Sequence, residues 1–213
     1  MPIKSVAYQR PTVDNARLVN FNVSPNKNYS EVLVSNQFSE LNENLIDFID
    51  QQKLFFVATA GTDGRINISP KGMDSLRVLT PKKIAWLNLT GSGNETAAHV
   101  LEMNRITLMF CSFAGKPMIL RLYGKATTLH PRDNEWNHYL EMFPSHPGAR
   151  QIFIVEIEMA LTSCGFAVPL LEYVEDRSTL IQWTEKAGEE GIKKYQHDKN
   201  LVSIDGKPTN LLG

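Results

Sequence analysis

The sequence predicts a mainly β fold in which about six antiparallel strands form a closed or nearly closed barrel with flanking helices. Several short segments are rich in β-branched and aromatic residues and are bounded by turn residues, as strands are. Most connections between them are shorter than the dozen residues that a parallel crossover requires. With 213 residues and 42% hydrophobic content, the chain is long enough to bury one sizeable core.

The first element is an N-terminal arm, predicted over residues 1–37. This segment is rich in Asn, Ser, Pro and charged residues and has no sustained hydrophobic period. It either lies over the protein or a neighbouring subunit, or is a free tail. Ser39 is then the predicted N-cap of a packing helix, whose apolar face is made of Leu41, Leu45, Phe48 and Ile49.

Six strands follow this helix. They are predicted at Leu54–Ala60, 65–69, Ile84–Leu89, Ile106–Phe113, Met118–Leu129 and Ile152–Ala160. A turn at Asp63-Gly64 separates the first two. In the last strand, isoleucines alternate with Glu156 and Glu158, which is typical of a half-buried antiparallel strand.

Three helical segments accompany the strands. The first is predicted over Asn94–Met103, with Asn94 as its N-cap and Glu95 in its first turn. The second begins near Pro131, and the third runs from Ser178 to about Tyr195. From His197 onward, we expect an extended tail.

Composition excludes several classes of function. Lys and Arg number 22 against 23 for Asp and Glu, so no excess of positive charge is available for nucleic acid. No uncharged apolar run approaches the roughly 20 residues of a membrane span, and residues 1–25 lack a signal-peptide core. We therefore expect a cytoplasmic protein without a membrane partner. Cys111 and Cys164 have neither disulfide-framework nor metal-ligand spacing, so no metal site is predicted.

The segment from Asp63 to His99 carries the most informative polar groups. Its hydroxyl, amide and ammonium groups are predicted to lie at strand ends and at a helix N-terminus. Free backbone N–H groups at such a terminus can bind an anion. The residues that carry these groups are Ser69, Lys71, Ser92, Asn94 and Thr96. A phosphate would fit such a site. The plainer interpretation is a flexible loop that precedes a capped helix.

Standard motifs for this chemistry are missing. Gly91 and Gly93 match the first two glycines of a dinucleotide fingerprint, but Thr96 occupies the third position, and there is no P-loop. There is no His-Glu-x-x-His motif and no Gly-x-Ser-x-Gly elbow either. Phosphate-sized donors without an evident acid, base or nucleophile indicate a bound cofactor that carries the reactivity, and flavin mononucleotide (FMN) meets that description.

A series of motifs in order along the chain supports this interpretation. It comprises the strand FFVATA, an Asp-Gly turn, Asn-x-Ser-Pro-Lys-Gly at Asn67–Gly72, the strand WLNL, a Gly-Ser loop, NRITLMF at Asn104–Phe110 and RLYGKA at Arg121–Ala126. Over roughly residues 38–170, this order resembles the pyridoxamine 5'-phosphate oxidase superfamily of FMN-binding split barrels.

The resemblance implies a six-stranded antiparallel split β-barrel over residues 38–170, with residues 171–213 as a helical extension and tail of the same domain. It implies a homodimer with FMN in a cleft between the subunits. The implied cofactor-binding residues are Asn67, Ser69, Lys71, Gly72, Ser92, Gly93, Asn94, Glu95 and Thr96. Lys71 is otherwise a solvated strand-end lysine, and Glu95 either contacts the flavin ring or only supports the helix.

Ser163 and Cys164 follow the last predicted strand and are further candidates for cofactor contact. Either they reach the flavin edge or substrate side, or they form a turn with a small buried thiol. No residue is predicted to be catalytic.

The sequence also departs from the family pattern. Where the oxidase has Arg-x-x-x-x-Lys and Ser-Arg-Lys, this chain has Ser-Pro-Lys-Gly and Asn-Glu-Thr, which disfavours vitamin B6 oxidation. We therefore predict an FMN-dependent oxidoreductase that acts on another small organic substrate. The alternatives are a non-catalytic flavin-binding or storage protein, and a split barrel that binds another ligand such as haem. Sequence favours FMN over haem because no histidine lies at the predicted cleft.

Overall fold

A computed structural model describes residues 35–213, so most of the predicted arm lies outside the described residues. The eight strands are β1 Gln37–Phe38, β2 Phe55–Thr59, β3 Asn67–Lys71, β4 Leu76–Thr80, β5 Lys83–Leu89, β6 Arg105–Cys111, β7 Ile119–Leu129 and β8 Ala149–Ser163. The four helices are α1 Glu43–Gln51, α2 Glu95–Glu102, α3 Trp136–Leu140 and α4 Thr179–Lys199.

The strands form one antiparallel sheet with the order β3-β2-β6-β7-β8-β5-β4, and β1 pairs with β8. The prediction of a mainly β antiparallel fold is confirmed. The predicted strand number and closure are wrong, because the sheet has eight strands and is not closed. Its two edges, β3 and β4, are not paired with each other within the described residues.

Strand β8 is the longest and extends past its predicted bounds at both ends. It pairs with β7 from Ser163 back to Ile152, with β5 along its first half, and with β1 near its end. Because β8 forms main-chain hydrogen bonds with a strand on each side, most of its residues are buried. The observed strand begins three residues before the predicted one and therefore includes Arg150, which lines the candidate site.

The edge strand β3 also differs from its prediction, since it runs through Pro70 to Lys71. Pro70 pairs with Phe56 of β2, and a proline is tolerated there because the other side of an edge strand needs no donor. Lys71 is therefore the last residue of a strand rather than part of the turn that follows.

The observed boundaries of three helices differ from the predicted ones. Asn42, not Ser39, caps α1, and its side-chain oxygen accepts from the Leu45 N–H at 3.0 Å. Pro131 belongs to a turn closed by Asp133, so α3 starts later, at Trp136. Helix α4 continues past a kink at Gly188 (φ 65°) to Lys199.

The barrel interior is a close-packed apolar core. Trp86 of β5 is fully buried and stacks on Phe153 of β8 with ring centroids 4.8 Å apart. A second cluster, around Trp136 and Phe143, lies under α3. Among the helices of residues 35–213, none combines the length and apolar character needed to cross a membrane.

Candidate functional site

A cavity of about 300 Å³ lies where β3, β5, the loop before α2 and the start of β8 meet. Most of the predicted cofactor residues line it, namely Asn67, Ser69, Lys71, Ser92, Gly93, Asn94, Glu95 and Thr96. Asn88, Leu89, Gly91 and Arg150 complete the lining. The fold thus brings together two segments that are separated by a β-hairpin in sequence.

Arg150 lines the cavity but is not among the residues predicted from the sequence. It is only 3% exposed, and its Nη1 donates to the Gly93 carbonyl at 3.1 Å. Its Nε has no hydrogen-bond partner, and no carboxylate of residues 35–213 forms an ion pair with it. Burial lowers the pKa of the guanidinium to about 10. A buried cation of this kind is costly unless an anion joins it.

Lys71 supplies a second positive charge to the same cavity. Burial, and next the charge of Arg150, lower the pKa of its ammonium to about 8. The Nζ lies 5.0 Å from the centroid of the Trp86 ring, a cation–π contact that partly replaces lost hydration. An anion between Lys71 and Arg150 would relieve their repulsion and restore the charged state of Lys71.

The N-terminus of α2 adds main-chain donors. The N–H groups of Glu95, Thr96 and Ala97 belong to the first turn and have no hydrogen-bond partner in the described part of the chain. Asn94 occupies the N-cap position, as predicted, but its side chain makes no capping bond. With the two cations beside it, this helix end is suited to a phosphate or carboxylate.

A hydrogen-bond network fixes the hydroxyl groups beside the cations. The Asn67 amide donates to Thr59 at 3.2 Å and to Thr96 at 3.1 Å, and its oxygen accepts from Ser69 at 2.8 Å. Thr59 in turn contacts Nδ1 of the buried His99 at 3.1 Å. Asn67 is therefore engaged within the protein and orients the Ser69 and Thr96 hydroxyls.

Asn94 and Glu95 contact the C-terminal tail instead of facing only the cavity. The Asn94 amide donates to the Asn200 carbonyl at 3.1 Å, and the Asn200 amide donates to the Gly91 carbonyl at 3.0 Å. The Glu95 carboxylate accepts from the Ile204 N–H at 3.1 Å. A carboxylate held by the tail at this place stabilises the helix start.

The tail is thus not the extended segment predicted from His197. Val202 and Pro208 form a bridge, and Lys207 forms ion pairs with Asp63 and Glu102. Asp205 pairs with Arg65. These contacts join the tail to both sides of the cavity, the β2–β3 turn and α2.

The remaining predicted residues lie elsewhere in the chain. Gly72 follows Lys71 directly but does not line this cavity. Ser163 ends β8, at the opposite end from Arg150, and accepts from Nη1 of Arg121 at 3.1 Å. Cys164 is a half-buried free thiol. Cofactor contact by these three residues stays a prediction.

The fold and the site define the chain as an open antiparallel barrel with an anion-suited cavity at a helix N-terminus. The sequence model described as pyridoxamine 5'-phosphate oxidase matches residues 41–164. A relative in Aspergillus flavus, the pyridoxamine 5'-phosphate oxidase family protein ustO, is 37% identical over 191 residues, which cover 80% of this chain and 76% of that protein. The chain belongs to the pyridoxamine 5'-phosphate oxidase family.

Three solved structures to which this chain is similar have TM-scores below 0.5. One is a candidate pyridoxamine 5'-phosphate oxidase of Lactobacillus delbrueckii (TM-score 0.47, 21% identity, 58% of this chain and 94% of that chain). Others are an FAD-binding protein of Mycobacterium smegmatis (0.41, 14%, 59% and 96%) and an FMN-binding protein of Syntrophomonas wolfei (0.41, 15%, 60% and 85%).

The contact between Asn200 and Gly91 predicts a local effect of substitution. Asn200→Ala removes the donor to a loop carbonyl and should lower the free energy of unfolding by about 1–2 kcal/mol. Hydrogen exchange of the Thr90 amide, which precedes Gly91 and donates to the Gly148 carbonyl at 2.7 Å, should become faster. Lys199→Ala, at the exposed neighbouring position, is the control. Unchanged exchange in Asn200→Ala would show that the loop does not depend on the tail.

Proposed function

We propose that this protein binds FMN in the cavity described above and is an oxidoreductase that acts on a small organic substrate. The observation that carries the proposal is the pair of cations, Lys71 and Arg150, which have no carboxylate partner among residues 35–213 and lie beside unpaired N–H groups of α2 in the same part of the chain. A terminal phosphate has close to two negative charges at neutral pH, which matches this pair. Membership of the family supports a flavin as the bearer of that phosphate.

The residues present fit this cofactor. Lys71 and Arg150 would hold the phosphate by charge, while the α2 N–H groups and the Thr96 hydroxyl would donate hydrogen bonds to its oxygens. FMN, when bound, supplies the redox chemistry at its ring. The protein residues bind and orient the cofactor, and burial around Trp86 keeps water from that side of Lys71.

We further propose that the flavin site is completed by a second copy of the chain. Ile66 and Ile68, at and beside the start of the edge strand β3, are 75% and 67% exposed. Within the described residues, β3 pairs only with β2, so this edge offers both an apolar face and free main-chain groups. A homodimer would cover them next to the cavity.

Passive flavin storage is the main alternative, and one observation favours it. The described lining contains no histidine, Glu95 is held by the tail, and Lys71 is assigned to the phosphate, so no other acid or base is evident among the described lining residues. The lack of a lining histidine also disfavours haem.

The phosphate assignment predicts a difference between two ligands. Lys71→Ala and Arg150→Ala should each weaken FMN binding about 10- to 100-fold, because each removes a charge-assisted contact. Riboflavin has the same ring without the phosphate and is the matched control, so its affinity should change little. Fluorescence titration of both flavins measures this. Equal losses for FMN and riboflavin would contradict a phosphate site at these residues.

The lowered pKa of Lys71 predicts a pH dependence of FMN affinity. With a pKa of about 8 in the free protein, Lys71 is charged at pH 7 and largely neutral at pH 9. The FMN phosphate stays doubly charged over this range, since its second pKa is about 6. The affinity should therefore fall roughly tenfold between pH 7 and pH 9. Lys71→Arg, which stays charged, should remove most of this dependence, and a flat profile in the unaltered protein would contradict the assignment.

A redox assay separates the enzyme from the storage protein. We expect NADH or NADPH to reduce the bound flavin, seen as loss of its visible absorption under anaerobic conditions. Free FMN at the same concentration is the control for non-enzymatic reduction. A rate no faster than that of free FMN with either donor would favour passive storage.

A further inference from the structure

A second cavity, of about 810 Å³, adjoins the anion-suited cavity. The two share Gly91, and the second continues along Gly72 and Met73, directly after Lys71. Its interior is mainly apolar, with side chains from Leu54, Met73, Leu180, Trp183 and Tyr195. A molecule in this cavity would lie beside a ligand whose phosphate is held by Lys71 and Arg150.

One wall of the second cavity is aromatic. Trp183 and Tyr195, both on α4, pack edge to face with ring centroids 5.0 Å apart. Trp183 remains 36% exposed, whereas Trp86 and Trp136 are buried. An edge-to-face pair with an exposed member offers surface for stacking or edge contact with a third ring.

The lining also includes a methionine in an unusual conformation. Met73 and Asp74 both have left-handed backbones, with φ of 62° and 50°. Such residues cost free energy, and the surroundings must hold them in place. Here Ser75 donates to the Gly72 carbonyl at 2.6 Å, and Arg77 pairs with Asp74 at 2.7 Å. The turn therefore presents a soft, polarisable side chain that packs well against aromatic rings.

Charge also limits what the second cavity can bind. Lys53 and Arg177 are balanced by Glu175 and Asp176, so the lining offers no excess of either sign. A charged ligand would lose hydration in an apolar interior without gaining a counter-charge. The cavity is suited to an uncharged ring.

The aromatic wall lies outside the segment that the family model matches, because that match ends at residue 164 and α4 begins at Thr179. The barrel and the anion-suited cavity belong to the matched segment, apart from the contribution of the tail. The cavity thus joins residues of the matched barrel, such as Leu54 and Gly91, to a helix that follows the matched segment.

We propose that the second cavity binds the substrate of this protein and that the substrate is an uncharged aromatic small molecule. Its use in turnover rests on the proposed flavin function, but binding to the cavity does not. Trp183 is the main contact, and the left-handed turn at Met73 forms another part of the lining.

Calorimetric titration with 1-naphthol at pH 7, with and without added FMN, tests this proposal on the full-length protein. Trp183→Ala should weaken binding at least about tenfold, and Trp183→Phe should recover part of the loss. Ile181→Ala is the matched control, since Ile181 lies on the same helix but does not line the cavity, and it should bind normally. 1-Naphthoate, with the same ring system and a negative charge, should bind more weakly than 1-naphthol.

Equal affinity of Trp183→Ala for 1-naphthol, or tighter binding of 1-naphthoate, would overturn the proposal. So would protection of Trp183 from acrylamide quenching in the ligand-free protein, because a second copy or another surface would then cover the cavity. FMN titration of Trp183→Ala should match the unaltered protein. If the unaltered protein binds 1-naphthol but not FMN, the proposed function fails while the binding site stands.

Discussion

The fold depends on strand β8, which pairs with three other strands. Its pairing with β7 and β5 joins the two halves of the sheet, and β1 adds to its far end. A close approach makes this possible, because a side chain at Gly124 of β7 would collide with the Glu156 carbonyl at the register shift. The same strand carries Arg150, whose position beside α2 follows from the register with β5.

The barrel and the C-terminal tail make different contributions to the site. The barrel supplies Lys71 and Arg150, which face each other only because the sheet brings β3 and β8 to one cavity. The tail supplies no lining group, yet Asn200 and Ile204 hold the loop and α2 in place. Residues beyond the family match thus support a site whose charges lie within it.

Local patterns were enough to predict most strands, α2 and five of the residues that line the cavity, namely Ser69, Lys71, Ser92, Asn94 and Thr96. Long-range geometry was not accessible in this way. The last strand was predicted from its apolar run, and Arg150 lies just before that run. The pairing of the strand with β5 extends it to include Arg150. The contact of Asn200 with Gly91 spans 109 residues and has no local signal. β4 was missed because its side chains are half-buried and do not alternate.

The contact of the tail with the loop also has a kinetic consequence. Hairpin pairs such as β2–β3 and β6–β7 join neighbouring segments, whereas the bond from Asn200 to Gly91 closes a loop of 109 residues. Long loops close late because their entropic cost must be met by structure already formed. This bond therefore depends on structure that forms earlier, and we expect the loop before α2 to be among the last parts of the described fold to reach its final order.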